Sequence, residues 1–488
     1  MKYILTLAAL FVAASIAHAE IRYRVQPQPE TNQLAITVTI PTNAPETLVQ
    51  APRWMPGFYM LLNYGARLKD FSATGVGDKP VELTAVDDHT WKINSAGAKQ
   101  VTLRYRAPLE FQDGIGHYSG IAAYVYVVGR TQERCKLTIE TPQDMKVAVG
   151  LDGSGPEYSA DSYDTLADNP VTLGSYYEET YTVAGKPHVI ALRGTGAGQI
   201  DKKLLREACE TVAKIETEFM GGAPYGKYVW HFSVRSGGAG GSGLEHLSST
   251  EISLGSGFSR RTAGLLAHEF FHLWNVKRIR SQVLGPFDYT QLPKTGALWW
   301  LEGTTDYFST LLLGRFGWTS EQDLYADIAT NVRNLRRSEA RLTVSPYDSS
   351  YRVGETNNGR GNSNGFGLSY YDNGFVVGLC LDLEILAQTG GKRSLDDVEF
   401  ALWKKCRNNQ SGFAEDEIRK QLIHAGGESF GPLYDKLVLA AGELPVQQAL
   451  AHVGLELTER GGIRSVGTPT PEQLRLRQLW LSKKRGRK

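Results

Sequence analysis

The chain has 488 residues, of which 41% are hydrophobic and 22% charged, and its formal net charge is +1. That length exceeds one simple core and implies two or three domains, with the composition of a soluble globular chain. A balanced charge gives no overall field that would favour nucleic acid or an anionic membrane, so function has to reside in local sites.

In chain order, Lys2, the apolar run 4–16 and the small residues of Ala17-His18-Ala19 form the pattern of a secretory signal over 1–19, cut before Glu20. The run is too short to span a bilayer, and no later segment approaches the roughly 18 apolar residues that a transmembrane helix needs. An exported chain, periplasmic or extracellular and without a transmembrane segment, is expected. Cys135, Cys209, Cys380 and Cys406 lie far apart and lack metal-ligand spacing. Export permits disulfides and leaves three full pairings open, although Cys380, within an apolar run, reads as a buried thiol.

Over 20–196 the signal is mainly β. Leu34, Ile36, Val38 and Ile40 alternate with small or polar residues, as do Val101, Leu103 and Tyr105. Turn residues punctuate these runs, so an N-terminal antiparallel β-domain is expected over 20–196. Within it, Trp54-Met55-Pro56-Gly57-Phe58-Tyr59 reads as core or turn packing rather than a ligand cage.

The pattern changes near Asp201. Leu204, Leu205, Ala208, Val212, Ile215 and Phe219 follow helical spacing between an Asp201 N-cap and a Gly221-Gly222 stop. A strand over 229–234 leads into the glycine run 236–243, which lacks the Lys-Ser/Thr of a phosphate loop and suits a flexible rim or a close backbone approach. Helices dominate from 260 to about 455, which makes 197–460 a second, mainly helical domain and the whole chain α+β. The remainder, 461–488, reads as a solvated basic tail ending Lys483-Lys484-Arg485-Gly486-Arg487-Lys488.

Chemistry concentrates in Ala267-His268-Glu269-Phe270-Phe271-His272-Leu273. Histidines at i and i+4 project from one helical face, so both imidazoles can reach one metal ion. Glu269, one residue past the first, can reach an attacking water rather than the metal, the position of a general base. The flanking Leu265, Leu266, Leu273 and Trp274 make this a largely buried helix, where two histidines and a carboxylate are costly unless bound to something. Catalytic zinc takes three protein ligands, and the third candidate is Glu302, in the apolar stretch beginning Trp299-Trp300-Leu301. Asp306, four residues on, shares its face and can accept the far N–H of a ligand histidine. One Zn2+ per chain is expected.

The run from His268 through Trp274-Asn275-Val276-Lys277-Arg278-Ile279-Arg280 resembles the active-site segment of the glycyl aminopeptidase family of gluzincin zinc peptidases. The likeness extends to 54–59, 243–246 and Glu302-Gly303. It implies a thermolysin-like catalytic domain behind the β-domain, with His268, His272 and Glu302 on zinc and Glu269 as base. Gly243-Leu244-Glu245-His246 is similar to the exopeptidase motif of related aminopeptidases, whose Glu holds the substrate's α-ammonium, although His246 stands where that motif often has Asn. Gly243, Glu245 and His246 are thus the implied substrate-binding residues, and an edge-strand Glu245 in solvent is the alternative. Ser369-Tyr370-Tyr371-Asp372-Asn373-Gly374 resembles the segment whose tyrosine steadies the oxyanion, with Asn373 in place of the usual Lys. That role falls to Tyr371, with Tyr370 the neighbouring choice, and the polar loop 357–362 is placed beside the cleft.

Family members commonly end in a PDZ domain, a unit of about 80–100 residues, and the chain beyond Gly461 is too short for one. That unit is expected to be lacking. The implied function is zinc-dependent removal of N-terminal residues, small ones such as Gly or Ala, from peptide substrates. An endopeptidase with the same zinc site is the alternative if Glu245 binds no ammonium. A catalytically inactive peptide-binding protein is another, although it would have no evident reason to keep Glu269.

Overall fold

The computed structural model describes residues 20–482 apart from 96, 143–144, 239, 356–366 and 409–410. The signal-like segment 1–19, the polar loop 357–362 and the basic run 483–488 fall outside the described residues.

The alternation of the first half becomes sheet. Ile21–Gln28 and Gln33–Pro41 pair antiparallel, and Gln33–Pro41 pairs in turn with Gln100–Pro108. Leu34, Ile36, Val38 and Ile40 all enter one core with Val101, Leu103 and Tyr105. A slip of one residue would turn that whole set to solvent, which fixes the register. The unit comprises a seven-stranded sheet and two four-stranded sheets.

A second unit stands on a five-stranded sheet, in the order Tyr177–Val183, Lys186–Arg193, Tyr228–Arg235, Ser249–Gly255, Gly241–Glu245. The three middle strands pair in parallel and both edge strands antiparallel. The predicted domain boundary at 196 therefore falls too late. The hairpin 177–193 belongs to this second sheet, since His188 to Arg193 pair with Tyr228 to Ser233. Composition is β-rich on both sides of the true junction, so a change of sheet left no mark there.

Leu192, Phe232 and Ile252 on one face of this sheet join the helices Lys202–Met220, Ala263–Phe271, Thr305–Arg315 and Tyr370–Gln388 in one core. The first of these helices starts where Asp201 accepts from the Leu204 N–H and stops at Gly221, whose φ is 81°. No helix among the described residues is long and apolar enough to cross a membrane. All four cysteines are buried free thiols.

The predicted solvated tail is largely folded. Ile463–Ser465 pairs with Leu455–Leu457, and a Thr470–Gln473 capping box starts the helix Pro471–Trp480. Trp480 is fully buried, and its indole N–H donates to Tyr307 at 2.9 Å. The Tyr307 hydroxyl donates to Asp382 at 2.6 Å, while buried Arg315 reaches the Trp480 carbonyl at 2.8 Å and Asp396 at 2.9 Å. Two buried side chains, Leu476 and Trp480, make the anchor, too few to leave a periodic apolar signal. Trp480→Ala should cost about 3–5 kcal/mol, read as a lower midpoint of urea unfolding.

Candidate active site

His268 and His272 sit on the helix Ala263–Phe271 and at its C-cap, where Leu266, Ala267 and Phe270 are buried against the sheet and neighbouring helices. Their Nε2 atoms lie 2.9 Å apart. Glu302 comes from the wide turn Trp299–Thr304, which has π-type geometry and opens the helix Thr305–Arg315. Its Oε2 lies 3.5 Å from His268 Nε2 and 3.2 Å from His272 Nε2. Tetrahedral coordination at about 2.0–2.1 Å places ligand atoms roughly 3.3 Å from one another, and the three separations bracket that value.

The far nitrogens are engaged as well. His268 Nδ1 lies 2.7 Å from Asp306 Oδ1, a charge contact without the alignment of a hydrogen bond, and His272 Nδ1 donates to the Asn275 carbonyl at 2.6 Å. A proton on Nδ1 of each ring, facing Asp306 in one case and the Asn275 carbonyl in the other, leaves both Nε2 lone pairs for a cation. Without one, facing lone pairs and a carboxylate would be buried together uncompensated. Burial would lift the Glu302 carboxyl, but the two histidines outweigh it and hold it below the usual carboxylate range. The donor set fits a tetrahedral dication such as zinc, with a fourth position left for water or substrate.

Glu269 is buried beside this trio. Carboxylate oxygens of Glu245 and Glu269 and a ring nitrogen of His272 lie within 4.8 Å of one another. Burial pushes the Glu269 carboxyl up to about 7, with Glu245 and Glu302 adding to the effect and the two histidines opposing it. A bound dication would oppose it further. The edge strand Gly241–Glu245 runs hard against this base: a Cβ on Gly243 would come 2.2 Å from the Glu269 carboxyl carbon.

Glu245, at the end of that strand, is buried at 5% exposure, so the solvent-facing alternative does not hold. Gly57, from the β-domain, lies across its carboxylate at φ 89°, and a Cβ there would meet both oxygens at 2.8 Å. On the other side, Tyr371 begins the helix Tyr370–Gln388 with its ring centroid 6.0 Å from that of His268. It stacks on Tyr370 at 4.9 Å. Burial first, then the Glu302 charge, pushes both phenols well above their ordinary range, which keeps them protonated as donors.

The family model for M61 glycyl aminopeptidase matches residues 261–377, and that for the Peptidase M61 N-terminal domain matches residues 22–175. The chain belongs to the M61 glycyl aminopeptidase family. Among solved structures, this M61 chain is similar to an aminopeptidase N family protein from Idiomarina loihiensis, at 22% identity and a TM-score of 0.81, over 89% of this chain and 78% of that one. It is also similar to yeast LTA4 hydrolase, at 11% identity and a TM-score of 0.53, over 90% and 70% of the two chains. A variant of an M1 zinc metallopeptidase from Deinococcus radiodurans matches at 12% identity and 0.51, over 88% and 96%. These likenesses are of fold. A comparison with curated proteins finds no match by sequence.

One residue of the M61 peptidase departs from its expected place. His246 follows Glu245 in sequence but turns away from the His268, His272 and Glu302 trio. Its Nδ1 lies 3.2 Å from Asp168 and its Nε2 3.3 Å from Glu251. Both nitrogens are thus committed to a buried ionic network, which holds the ring at 2% exposure and leaves nothing for a substrate.

Other residues of the M61 site do work that the sequence did not disclose. The Asn275 amide donates to the Trp300 carbonyl at 3.2 Å and to Thr305 at 3.1 Å, tying the segment after His272 to the turn that carries Glu302. Lys277 pairs with Asp168 of the β-domain at 2.7 Å, and Arg278 donates to the Leu273, Pro224 and Leu247 carbonyls. Gly303 and Gly374 meet backbone to backbone, because a Cβ on Gly374 would come 1.9 Å from the Trp299 carbonyl. That contact seats the tyrosine helix against the Glu302 turn. The resemblance covers this segment and residues 54–59 without giving the purpose of either.

Proposed function

We propose that this peptidase is a zinc-dependent aminopeptidase that hydrolyses the first bond of peptides with a free N-terminus and favours small N-terminal residues such as Gly or Ala. The observation that carries the reading is a buried Glu245 carboxylate beside Glu269, closed over by Gly57. A carboxylate at the closed end of a cleft recognises a cation and sets the cut one residue in. The cavity next to Glu245 measures about 40 Å³, and its small size favours a small N-terminal residue. It is lined in part by Pro56, Gly57, Tyr59, Val276 and Phe287, together with the charged Asp164, Asp168, Lys277 and Arg280. The same Deinococcus radiodurans enzyme has been solved with a Tyr-Ser-Ala substrate, and its fold is shared here.

Zinc held by His268, His272 and Glu302 would supply Lewis acidity to the scissile carbonyl and to an attacking water. Glu269 takes a proton from that water and returns it to the leaving amine. Tyr371 donates its hydroxyl to the oxygen on which charge develops. Asp306 and the Asn275 carbonyl fix the imidazoles, and Glu245 orients the substrate's ammonium. We also propose that the chain is exported, on the pattern of residues 1–19; a mature N-terminus at Glu20 by mass spectrometry would support this.

Hydrolysis of an alanine anilide, abolished by chelator and restored by zinc, tests the reading. Purified protein should hold one zinc per chain, and His268→Ala and Glu302→Ala should lose both metal and activity. Absence of stoichiometric metal after zinc reconstitution would defeat the ligand assignment. Tyr371→Phe should lower kcat by about 10²–10³ with little change in KM, and an unchanged kcat would move the role to Tyr370.

A further inference from the structure

The back of the five-stranded sheet carries a polar row that peptide hydrolysis leaves unused. Its register aligns Arg193 with Ser233, Ser233 with Ser253, and Ser253 with Ser242, so these side chains stand side by side across four strands. Strand alternation puts them on the face opposite Gly243, Ile252 and Phe232, which look toward the zinc-site helix and the helical core. In the adjoining row, His231 aligns with Glu251 and Leu244. With His117 of the β-domain, these residues line a shallow cavity of about 300 Å³.

The groups facing it differ in what they lack. Both Glu251 oxygens are taken, one by His117 Nε2 at 2.5 Å and the other by His246 Nε2 at 3.3 Å. His231 is 2% exposed, and its Nδ1 lies 2.8 Å from the Thr172 hydroxyl, yet its buried Nε2 has no partner among the described residues. Thr172 also lies 3.0 Å from His117 Nδ1, so its one proton serves one ring or the other and decides whether His231 Nε2 carries a proton or a lone pair. Arg193 makes no side-chain hydrogen bond among the described residues. Its ion pair is with Glu110 at 3.7 Å, a carboxylate 74% exposed, and such pairs hold weakly. The hydroxyls of Ser233, Ser242 and Ser253 also have no hydrogen-bond partner among the described residues.

What remains is a guanidinium and three hydroxyls able to donate, beside a buried imidazole nitrogen, with no free carboxylate among them. Only an acceptor-rich partner satisfies such a set, and a planar guanidinium selects oxyanions. We propose that this cavity binds a small oxyanion, a phosphate-like group or a carboxylate, held by Arg193 and the serine row above His231. An occupant there would tie down Ser242 on the strand whose opposite face carries Gly243 and Glu245.

Calorimetric titration of the zinc-loaded full chain with inorganic phosphate, and separately with acetate, tests this. One saturable site is expected for at least one probe, weakened about tenfold or more by Arg193→Gln and by the double variant Ser233→Ala with Ser253→Ala. Turnover of an alanine anilide should stay at the wild-type level in both variants. Binding confined to phosphate would assign a tetrahedral group, binding confined to acetate a carboxylate, and binding of both a general oxyanion site. The serine variant removes only hydroxyls and keeps the test decisive if Arg193→Gln fails to fold. No saturable binding, or binding that survives in the variants and merely inhibits turnover at the zinc site, would overturn the proposal.

Discussion

Glu269→Gln should keep its fold and its zinc while losing about 10²–10⁴ in kcat. The amide fills the same space beneath Gly243 and beside His272, so neither packing nor the ligand trio is disturbed. What disappears is the ability to take a proton from water and hand it to the leaving amine. Burial lifts this carboxyl and makes it a stronger base than an exposed one, a bound dication opposes that shift, and no other carboxylate replaces it. Glu302 is held ionised by the histidines, and Glu245 is assigned to the substrate's ammonium in the proposed pose. Metal analysis of the variant alongside its turnover checks both halves of the expectation. Near-full turnover would refute the assigned chemistry.

Glu245→Gln should cut kcat/KM severely for peptides with a free N-terminus, since losing one partner of a buried charge pair costs roughly 2–5 kcal/mol. Peptides with an acetylated N-terminus never made that contact and should be nearly unaffected by the substitution. The wild type should accordingly favour the free member of a matched peptide pair by a large factor, with products followed by mass spectrometry. Equal internal cleavage of the acetylated peptide would reject the exopeptidase reading and leave an endopeptidase with the same zinc site.

What could be read from the sequence was what chemistry writes locally. His268, Glu269 and His272 lie within two turns of one helix, so their spacing alone announces a metal and a base. Glu302 was within reach because its apolar helix follows closely and zinc demands a third ligand. Gly57, Asn275 and the Gly303–Gly374 contact were not legible. Each works through backbone approach or a carbonyl, and neither leaves a composition or a period behind. His246 misled because proximity in sequence to Glu245 was read as proximity to substrate, whereas successive strand residues face opposite ways. The junction near 176 and the folded tail were hidden for a related reason: a hairpin that changes sheets, and a helix anchored by two side chains, look from within like what surrounds them.

The position of Gly57 has a temporal side. Residues 54–59 close the end of a cleft whose carboxylate and metal ligands lie far downstream, in the other unit. The two halves are held by Lys277 to Asp168 at 2.7 Å, the Trp54 indole to the Asp288 carbonyl at 2.7 Å and the Tyr289 hydroxyl to Asp164 at 2.8 Å. During synthesis the closing loop is made first, and N-terminal units generally fold first. The machinery it covers arrives last. A half-made chain therefore has a lid and nothing beneath it, and cannot trim its neighbours on the way to maturity. A nick near residue 176 in the finished enzyme would leave the lid tied to the finished site by contacts such as these three rather than by the chain as well.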